Sequence, residues 1–391
     1  QADLNEMGKA CNRNVRKVLM KKLLITSTEL MMIQFLVPHV KYLSENGFRV
    51  EIACSDVGGR MEEVRKTLGG TVKAIHTLRL ERSPVSPRNF LGYQDLKKLL
   101  AENHYDIIWT NEPVMGVVTR LAANKYRRKG TKVIYMVHGF HFYKGSGLSS
   151  WLLYCPIETL MSRCMDTLVT INWEDYHWAE KHLRVPRLEH IDGIGVDFSR
   201  LCDADCRDAK REELGIAPDE LMILSVGELQ TRKNHEVMIR AVAKLNNPKV
   251  RYMICGRGEL LESLQKLAEE LGIGDRVSFL GYRKDVPQIM RAADIYAHPS
   301  KREGLGLASL EAMACGLPLV TSNVQGIPDY VENGVTGFMC DPTDVDGFAE
   351  HLRLLIRDKV LREQISVTNL QQSERYAVAQ IKPVVFTIMN S

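Results

Sequence analysis

No stretch of this chain approaches the ~18 continuous apolar residues that a membrane-crossing helix needs, so a spanning segment is not expected. No apolar core of a secretory signal opens it either. Residues 1–19, QADLNEMGKACNRNVRKVL, are polar and mixed, and a start-like MKKLLITST begins at Met20, so 1–19 are expected to be an extension. The cysteines are few, odd in number at nine, and scattered through apolar runs, which suits a reducing cytosol and excludes a disulfide scaffold. The close pair Cys202 and Cys206 has no His or second pair beside it, which argues against zinc. A G-x-x-x-x-G-K-[ST] loop is missing, excluding an ATP site of that kind. Basic patches with interleaved aromatics are missing too, so no nucleic-acid partner is expected. The one D-x-D, Asp203-Ala204-Asp205, lies in a polar stretch rather than after an apolar strand, where a magnesium–nucleotide site would need it. No metal and no cofactor are therefore expected.

What is present is an α/β pattern, twice. At 391 residues the chain exceeds the size at which one core keeps growing, so two domains are expected. Short apolar runs at 22–28, 49–55, 71–78, 106–111, 132–139 and 167–172 alternate with amphipathic segments, as buried parallel strands alternate with helices. The pattern breaks in the glycine-containing polar stretch 187–215. It restarts at 221–227, 250–256, 276–281, 294–300 and 317–322. The expectation is two Rossmann-like domains, 20–196 and 197–372, facing across a cleft with ligand at the strands' C-terminal ends. A last helix, 373–391, is expected to break near Pro383 and to cross back to the first domain. Residues 1–200 hold 29 Lys and Arg against 21 Asp and Glu, and the rest hold 23 against 27. That asymmetry suits an anionic partner for the first half, although a solvated surface also accounts for it.

Turns in the second half are glycine-rich. LSVGELQTRKNH sets Gly227 at a strand end and Lys233 in the loop beyond. ICGRGELL and REGLGLASLEAMACG open two further helices. Helix starts with small residues offer unpaired N–H groups and partial positive charge to an anion, so a diphosphate is the indicated ligand. Glu303 then leaves a strand on one side of that diphosphate and Glu311 projects from the second helical turn on the other. Ionised carboxylates are pure acceptors and suit sugar and ribose hydroxyls. The bland alternative is that both glutamates only favour a helix dipole.

The three segments 225–242, 254–300 and 302–322 together resemble the donor-binding half of the family 4 glycosyltransferases, which have the GT-B fold. Glu303 and Glu311 match that family's E-x7-E spacing. The resemblance implies that Glu303 faces the donor sugar, Glu311 the ribose, and Lys233 the diphosphate, helped by Gly227 and the backbone amides of Gly304, Leu305, Gly306 and Leu307. It places Gly281 and Tyr282 at the nucleotide base. His138, in MVHGF, falls where a cleft His meets sugar and phosphate; the alternative for it is a core histidine at a strand end. Where many members carry Arg after the strand glycine, this chain has Glu228, so Arg232, or Lys301 and Arg302, would supply the second cation.

The segment 138–176 resembles the bacterial subgroup that builds capsular, exo- or glycoprotein-linked polysaccharides. This implies a UDP-sugar donor, a polyprenyl-pyrophosphate-linked saccharide acceptor and a peripheral position on the inner face of the cytoplasmic membrane. Trp151 to Tyr154 and the run 125–130, KYRRKG, would make that contact, unless they are core and a solvated helix end. The family implies retention, with Lys233, Glu303 and His138 acting by positioning and electrostatics. Two alternatives remain: a sugar-nucleotide epimerase of the same fold, and a non-catalytic sugar-nucleotide-binding subunit of a polysaccharide assembly complex.

Overall fold

The structure is a computed structural model that describes residues 20–57, 61–201 and 206–391. Residues 1–19, Cys202 and the Asp203-Ala204-Asp205 triplet lie outside the described residues. The chain is α/β with two Rossmann-like parallel sheets. It divides into two compact units, one ending at Ile134 and the other running from Tyr135 to Ser391.

The first unit alternates β1 (Lys21–Glu29), α1 (Leu30–Glu45), β2 (Phe48–Ser55), α2 (Met61–Thr67), β3 (Ala74–Thr77), α3 (Arg88–Glu102), β4 (Ile107–Asn111) and α4 (Pro113–Arg127), and β5 (Lys132–Val137) begins in it. Its strands run β3-β2-β1-β4, with β1 paired in parallel to β2 and β4. Leu23, Leu24, Ile25, Ile108 and Trp109 have no exposed surface, as strands covered on both faces require.

The second unit takes the end of β5, then α5 (Leu148–Met161), β6 (Thr167–Thr170), α6 (Trp173–His182) and β7 (Arg187–His190), with β6 and β7 parallel. There follow α7 (Arg207–Glu213), β8 (Leu221–Val226), α8 (His235–Leu245), β9 (Val250–Cys255), α9 (Leu261–Glu270), β10 (Val277–Gly281), α10 (Val286–Ala292), β11 (Ile295–His298), α11 (Leu307–Ala314), β12 (Leu319–Ser322), β13 (Gly337–Cys340), α12 (Val345–Arg357), α13 (Lys359–Ser373) and α14 (Val378–Asn390). The six strands from β8 onward form one sheet ordered β10-β9-β8-β11-β12-β13. Helix α8 shows why this sequence folds so. Val237, Met238, Ala241 and Val242 are buried on one stripe against Ile223, Tyr252 and Ile254, while Glu236 and Arg240 pair in solvent. Asn246, in the left-handed conformation, ends it.

Two elements differ from the sequence reading. Strands β7 and β13 were not anticipated. RLEH of β7 is polar and partly exposed along its length, and GFMC of β13, although three of its residues are buried, is only four residues long and stands in a turn-rich stretch. The break expected near Pro383 does not occur. Helix α14 runs straight through it, its Ile381, Val385, Ile388 and Met389 buried, and that burial outweighs the one backbone bond proline removes. Before α14, the Val196 N–H donates to the Tyr376 carbonyl and the Val378 N–H to the Val196 carbonyl, which ties the last helix to the stretch after β7.

Candidate functional site

The second sheet reverses its strand order between β8 and β11, and loops leaving two such strands open the crevice where doubly wound sheets bind ligands. The loop after β8 carries Arg232 and Lys233, and the loop after β11 carries Ser300 to Gly306. Backbone stitches hold the two together: Lys301 N–H donates to the Arg232 carbonyl at 2.8 Å and Asn234 Nδ2 to the Pro299 carbonyl at 3.0 Å. Lys233 lays its aliphatic stem over Gly227, where an added Cβ would lie 3.3 Å from Lys233 Cδ. Its ammonium then reaches Glu303 Oε2 at 2.5 Å, with both side chains 14% exposed.

That one oxygen is crowded. It also meets His298 Nε2 at 3.0 Å, Ser300 Oγ at 3.4 Å and the Arg232 guanidinium at 3.7 Å. Burial would push the Glu303 carboxyl up, but the Lys233 charge and the His298 hydrogen bond outweigh it and hold the carboxyl well below the usual range. Burial also lowers the pKa of His298, so its neutral ring donates Nε2–H to the carboxylate. The site is an ionised carboxylate clamped through one oxygen.

Glycines shape the rest. Gly306 caps α11 at φ 87°, a conformation that suits glycine, and a Cβ there would press within 3.1 Å of Glu303 Cγ. At Gly304 a Cβ would fall 2.1 Å from the His138 carbonyl, so the backbone after β5 lies against the backbone before α11. Asn172 Nδ2, at the start of α6, donates to the Gly304 carbonyl at 3.0 Å and to the Asp175 carboxylate, and Gln325 Nε2 donates to the Phe140 carbonyl at 3.0 Å. His138 is half-buried, and burial drives its pKa down to about 4, leaving a neutral imidazole and a weak base near pH 7.

The structure therefore brings together Gly227, Arg232, Lys233, Glu303, Gly304, Gly306 and the His138 backbone. Leu305 is 4% exposed with its side chain packed on Gly193, so only its backbone is available to a ligand. Leu307 begins α11, and Glu311, half-buried, stands in its second turn. Gly281, at φ 65°, ends β10, two strands from β8, and Tyr282 follows it. Gly256 links them to the site: its N–H donates to the Gly281 carbonyl, and a Cβ on it would fall 1.8 Å from the Gly227 carbonyl. Tyr282 is 50% exposed with the Arg257 guanidinium 5.8 Å from its ring centroid, an open aromatic face backed by a cation.

Sequence reasoning missed His298, Ser300, Asn172 and Gln325. His298 and Ser300 stand in the His-Pro-Ser that ends the apolar run 294–300, a local signal; Asn172 and Gln325 act through contacts more than 130 residues away, which no local pattern announces. Glu228, in the place of the expected Arg, is 61% exposed and lies 3.9 Å from Arg232. Among the described residues no three His, Cys, Asp or Glu side chains gather as metal ligands.

Comparison with known proteins gives three kinds of match. Residues 207–371 match the family described as glycosyl transferases group 1, and residues 22–172 match the family described as glycosyl transferase 4-like. The chain is 34% identical over 352 residues to the glycosyltransferase EpsD of Bacillus subtilis, whose own assignment is provisional, covering 88% of this chain and 90% of that one. It is 31% identical to the Escherichia coli UDP-Gal:alpha-D-GlcNAc-diphosphoundecaprenol alpha-1,3-galactosyltransferase, over 82% and 83% of the two chains. Among solved structures, HepE of Anabaena, crystallised with UDP and glucose, superposes with a TM-score of 0.79 at 20% identity, over 95% of this chain and 99% of that one.

Proposed function

We propose, for a chain that belongs to the family 4 glycosyltransferases of GT-B fold and is thus a transferase, that it moves a hexose or N-acetylhexosamine from a UDP-sugar to a saccharide carried on a polyprenyl diphosphate, with retention, in the synthesis of a bacterial surface polysaccharide. The observation that carries this reading is the Lys233–Glu303 pair at the β8/β11 crevice, next to the glycine-capped start of α11. A cation and a helix start suit a diphosphate, and a carboxylate with one oxygen clamped keeps the other for a sugar hydroxyl. Tyr282 offers its open face to the uracil ring, and Glu311 its carboxylate to the ribose.

In this reading the C1–O bond to the nucleotide diphosphate breaks with its electron pair going to the phosphate oxygen. The acceptor hydroxyl attacks C1 from the same face, and its proton passes to that departing phosphate. Lys233 and the α11 N–H groups stabilise the leaving diphosphate, and neutral His138 donates a hydrogen bond rather than serving as base. No metal or cofactor takes part. The lipid-linked acceptor follows the activity for which the E. coli relative is named, and a peripheral place on the cytoplasmic membrane face follows from the acceptor. No described helix is long and apolar enough to cross a membrane.

The test is a thermal-shift screen of UDP- and GDP-sugars, repeated with Glu311→Ala, followed by product analysis with a polyprenyl-diphosphate saccharide. A ligand that binds only the folded state raises the melting temperature with its concentration. A UDP-sugar shift lost in Glu311→Ala, with anomerically retained product, is the expected result. Epimerised sugar without acceptor would indicate the epimerase, and binding without any turnover the non-catalytic subunit. No shift with any nucleotide sugar would sink the donor site itself.

A further inference from the structure

Arg302 stands next to Glu303 but has a different environment. It is half-buried, and among the described residues it forms no ion pair. Arg232, another cation of the same crevice, donates its guanidinium to the Arg302 backbone carbonyl at 3.5 Å, and the carboxylate of Glu303 offsets only part of its repulsion. Burial and then Arg232 both work against its charge. A guanidinium held this way is stabilised when an anion arrives.

Other hydrogen-bonding groups surround it. Tyr143 donates its hydroxyl to the Lys301 carbonyl at 2.9 Å, pinning the stretch after β5 beside Arg302. Two residues earlier, His141 packs its ring 4.7 Å from that of Tyr154 on α5, and its buried Nδ1 has no hydrogen-bond partner. Arg302 in turn helps hold His141 neutral, after burial, with its pKa down to about 4. None of this duplicates the Lys233 arrangement, since Lys233 lies over Gly227 on the β8 side.

Helix α5 decides what kind of anion fits. Tyr154 faces inward, and so does Glu158, which accepts from the Tyr135 hydroxyl at 3.2 Å. Outward, α5 presents Leu148 at 74% exposure, Leu152 at 70% and Leu160 at 64%, with Leu153 and Ile157 beside them. No exposed charge interrupts the helix along its length. Leu152 and Leu153 are thus the exposed part of the Trp151–Tyr154 segment, while Trp151 packs on Phe142 and Trp178. A guanidinium without an ion pair and an unpartnered imidazole nitrogen beside an unbroken apolar helix face match a molecule with a diphosphate head and a hydrocarbon tail.

We infer that Arg302, with Tyr143, His141 and Tyr154, forms a second diphosphate site, separate from that of the nucleotide, which binds the diphosphate of the lipid acceptor while its prenyl chain lies along the outer face of α5. This rests on the transferase reading above and names the residues that hold its acceptor. The shared chemistry is a diphosphate ester, and the nucleotide donor is the other possible source of one.

The experiment titrates UDP, inorganic pyrophosphate and farnesyl diphosphate separately against the whole protein, read by thermal shift and calorimetry. In the wild type, farnesyl diphosphate is expected to bind more tightly than pyrophosphate. Arg302→Gln is expected to weaken farnesyl diphosphate roughly tenfold or more, as loss of a charge-assisted contact does, while UDP stays within about twofold. Leu152→Ser with Leu160→Ser is expected to weaken farnesyl diphosphate and leave pyrophosphate unchanged. Should Arg302→Gln melt early without ligand, Arg302→Lys retains the charge and is expected to bind farnesyl diphosphate at intermediate strength. An Arg302→Gln protein that loses UDP as much as farnesyl diphosphate would assign Arg302 to the donor and overturn the second site. So would one that loses neither. A wild type blind to UDP would instead overturn the donor reading, independently of Arg302.

Discussion

Glu303→Gln tests the central pair most directly, because it changes one charge and little volume. Both partners are 14% exposed, and removing one member of such a buried pair leaves Lys233 without its counter-charge, at a cost of about 3 kcal/mol. In a unit of this size each kcal/mol lowers the melting temperature by about 2–4 °C, so a drop of roughly 6–12 °C is expected without ligand. UDP should then recover more than it does in the wild type, since its diphosphate now meets an ammonium that no carboxylate holds. At a hundredfold excess over Kd the ligand contributes about 2.7 kcal/mol. Sugar transfer should fall on the order of a hundredfold or more, because the carboxylate for the donor hydroxyl is gone. The pH dependence has a definite sign. The Glu303 pKa is lower folded than unfolded, so its stabilisation is fully present above the unfolded value near ~4.3 and is lost as pH falls toward the folded value. The gap between wild type and Glu303→Gln should be flat from pH 8 to 5 and close only below about pH 4. Differential scanning calorimetry with and without UDP reads all of this. A variant that melts like the wild type, or one that no longer responds to UDP, would refute the claim that Lys233 is shared between Glu303 and the diphosphate.

Gly306→Ala forces a side chain into the left-handed cap and against Glu303 Cγ; a loss of about 1–2 kcal/mol in stability and a larger loss of transfer are expected, measured by urea unfolding and initial rates. Burial raises the Asp175 carboxyl to about 7, above its unfolded value, so the folded protein holds an extra proton between about pH 4 and 7 and loses stability across that window as pH rises. Asp175→Asn removes the slope, so its melting temperature relative to the wild type should climb from pH 4 to 7 and then level off. His138, with its pKa down to about 4, should leave no step between pH 5 and 8 in the transfer rate, and His138→Asn should lower kcat without creating one.

The glycines were the most legible part of the site, and the reason is steric. Gly227, Gly256, Gly304 and Gly306 sit where a Cβ would strike a carbonyl, a lysine stem or Glu303, and such positions demand glycine locally enough to show in a short string. Lys233 and Glu303 were legible for a related reason, each lying within a few residues of a strand end whose apolar run announces it. The strand alternation set the order of elements, but the edge strand β7 is only partly buried and β13, though buried, is too short to stand out. What stayed illegible are the contacts whose partners are far apart in the chain: Asn172 with Gly304, Gln325 with Phe140, Tyr143 with Lys301. Each uses a common polar residue in an ordinary loop, so only the folded backbone reveals its partner. The same distinction separates Arg302 from Lys233. In sequence they are two cations near one motif, interchangeable as replacements for the arginine missing at Glu228. In the structure Lys233 is bound to Glu303 and lies over Gly227 on the β8 side, while Arg302, next to the Lys301 carbonyl that Tyr143 holds, forms no ion pair among the described residues. Glu228 therefore does not need one substitute cation. It lies 3.9 Å from Arg232, which also meets Glu303 at 3.7 Å, whereas Arg302 forms no ion pair among the described residues.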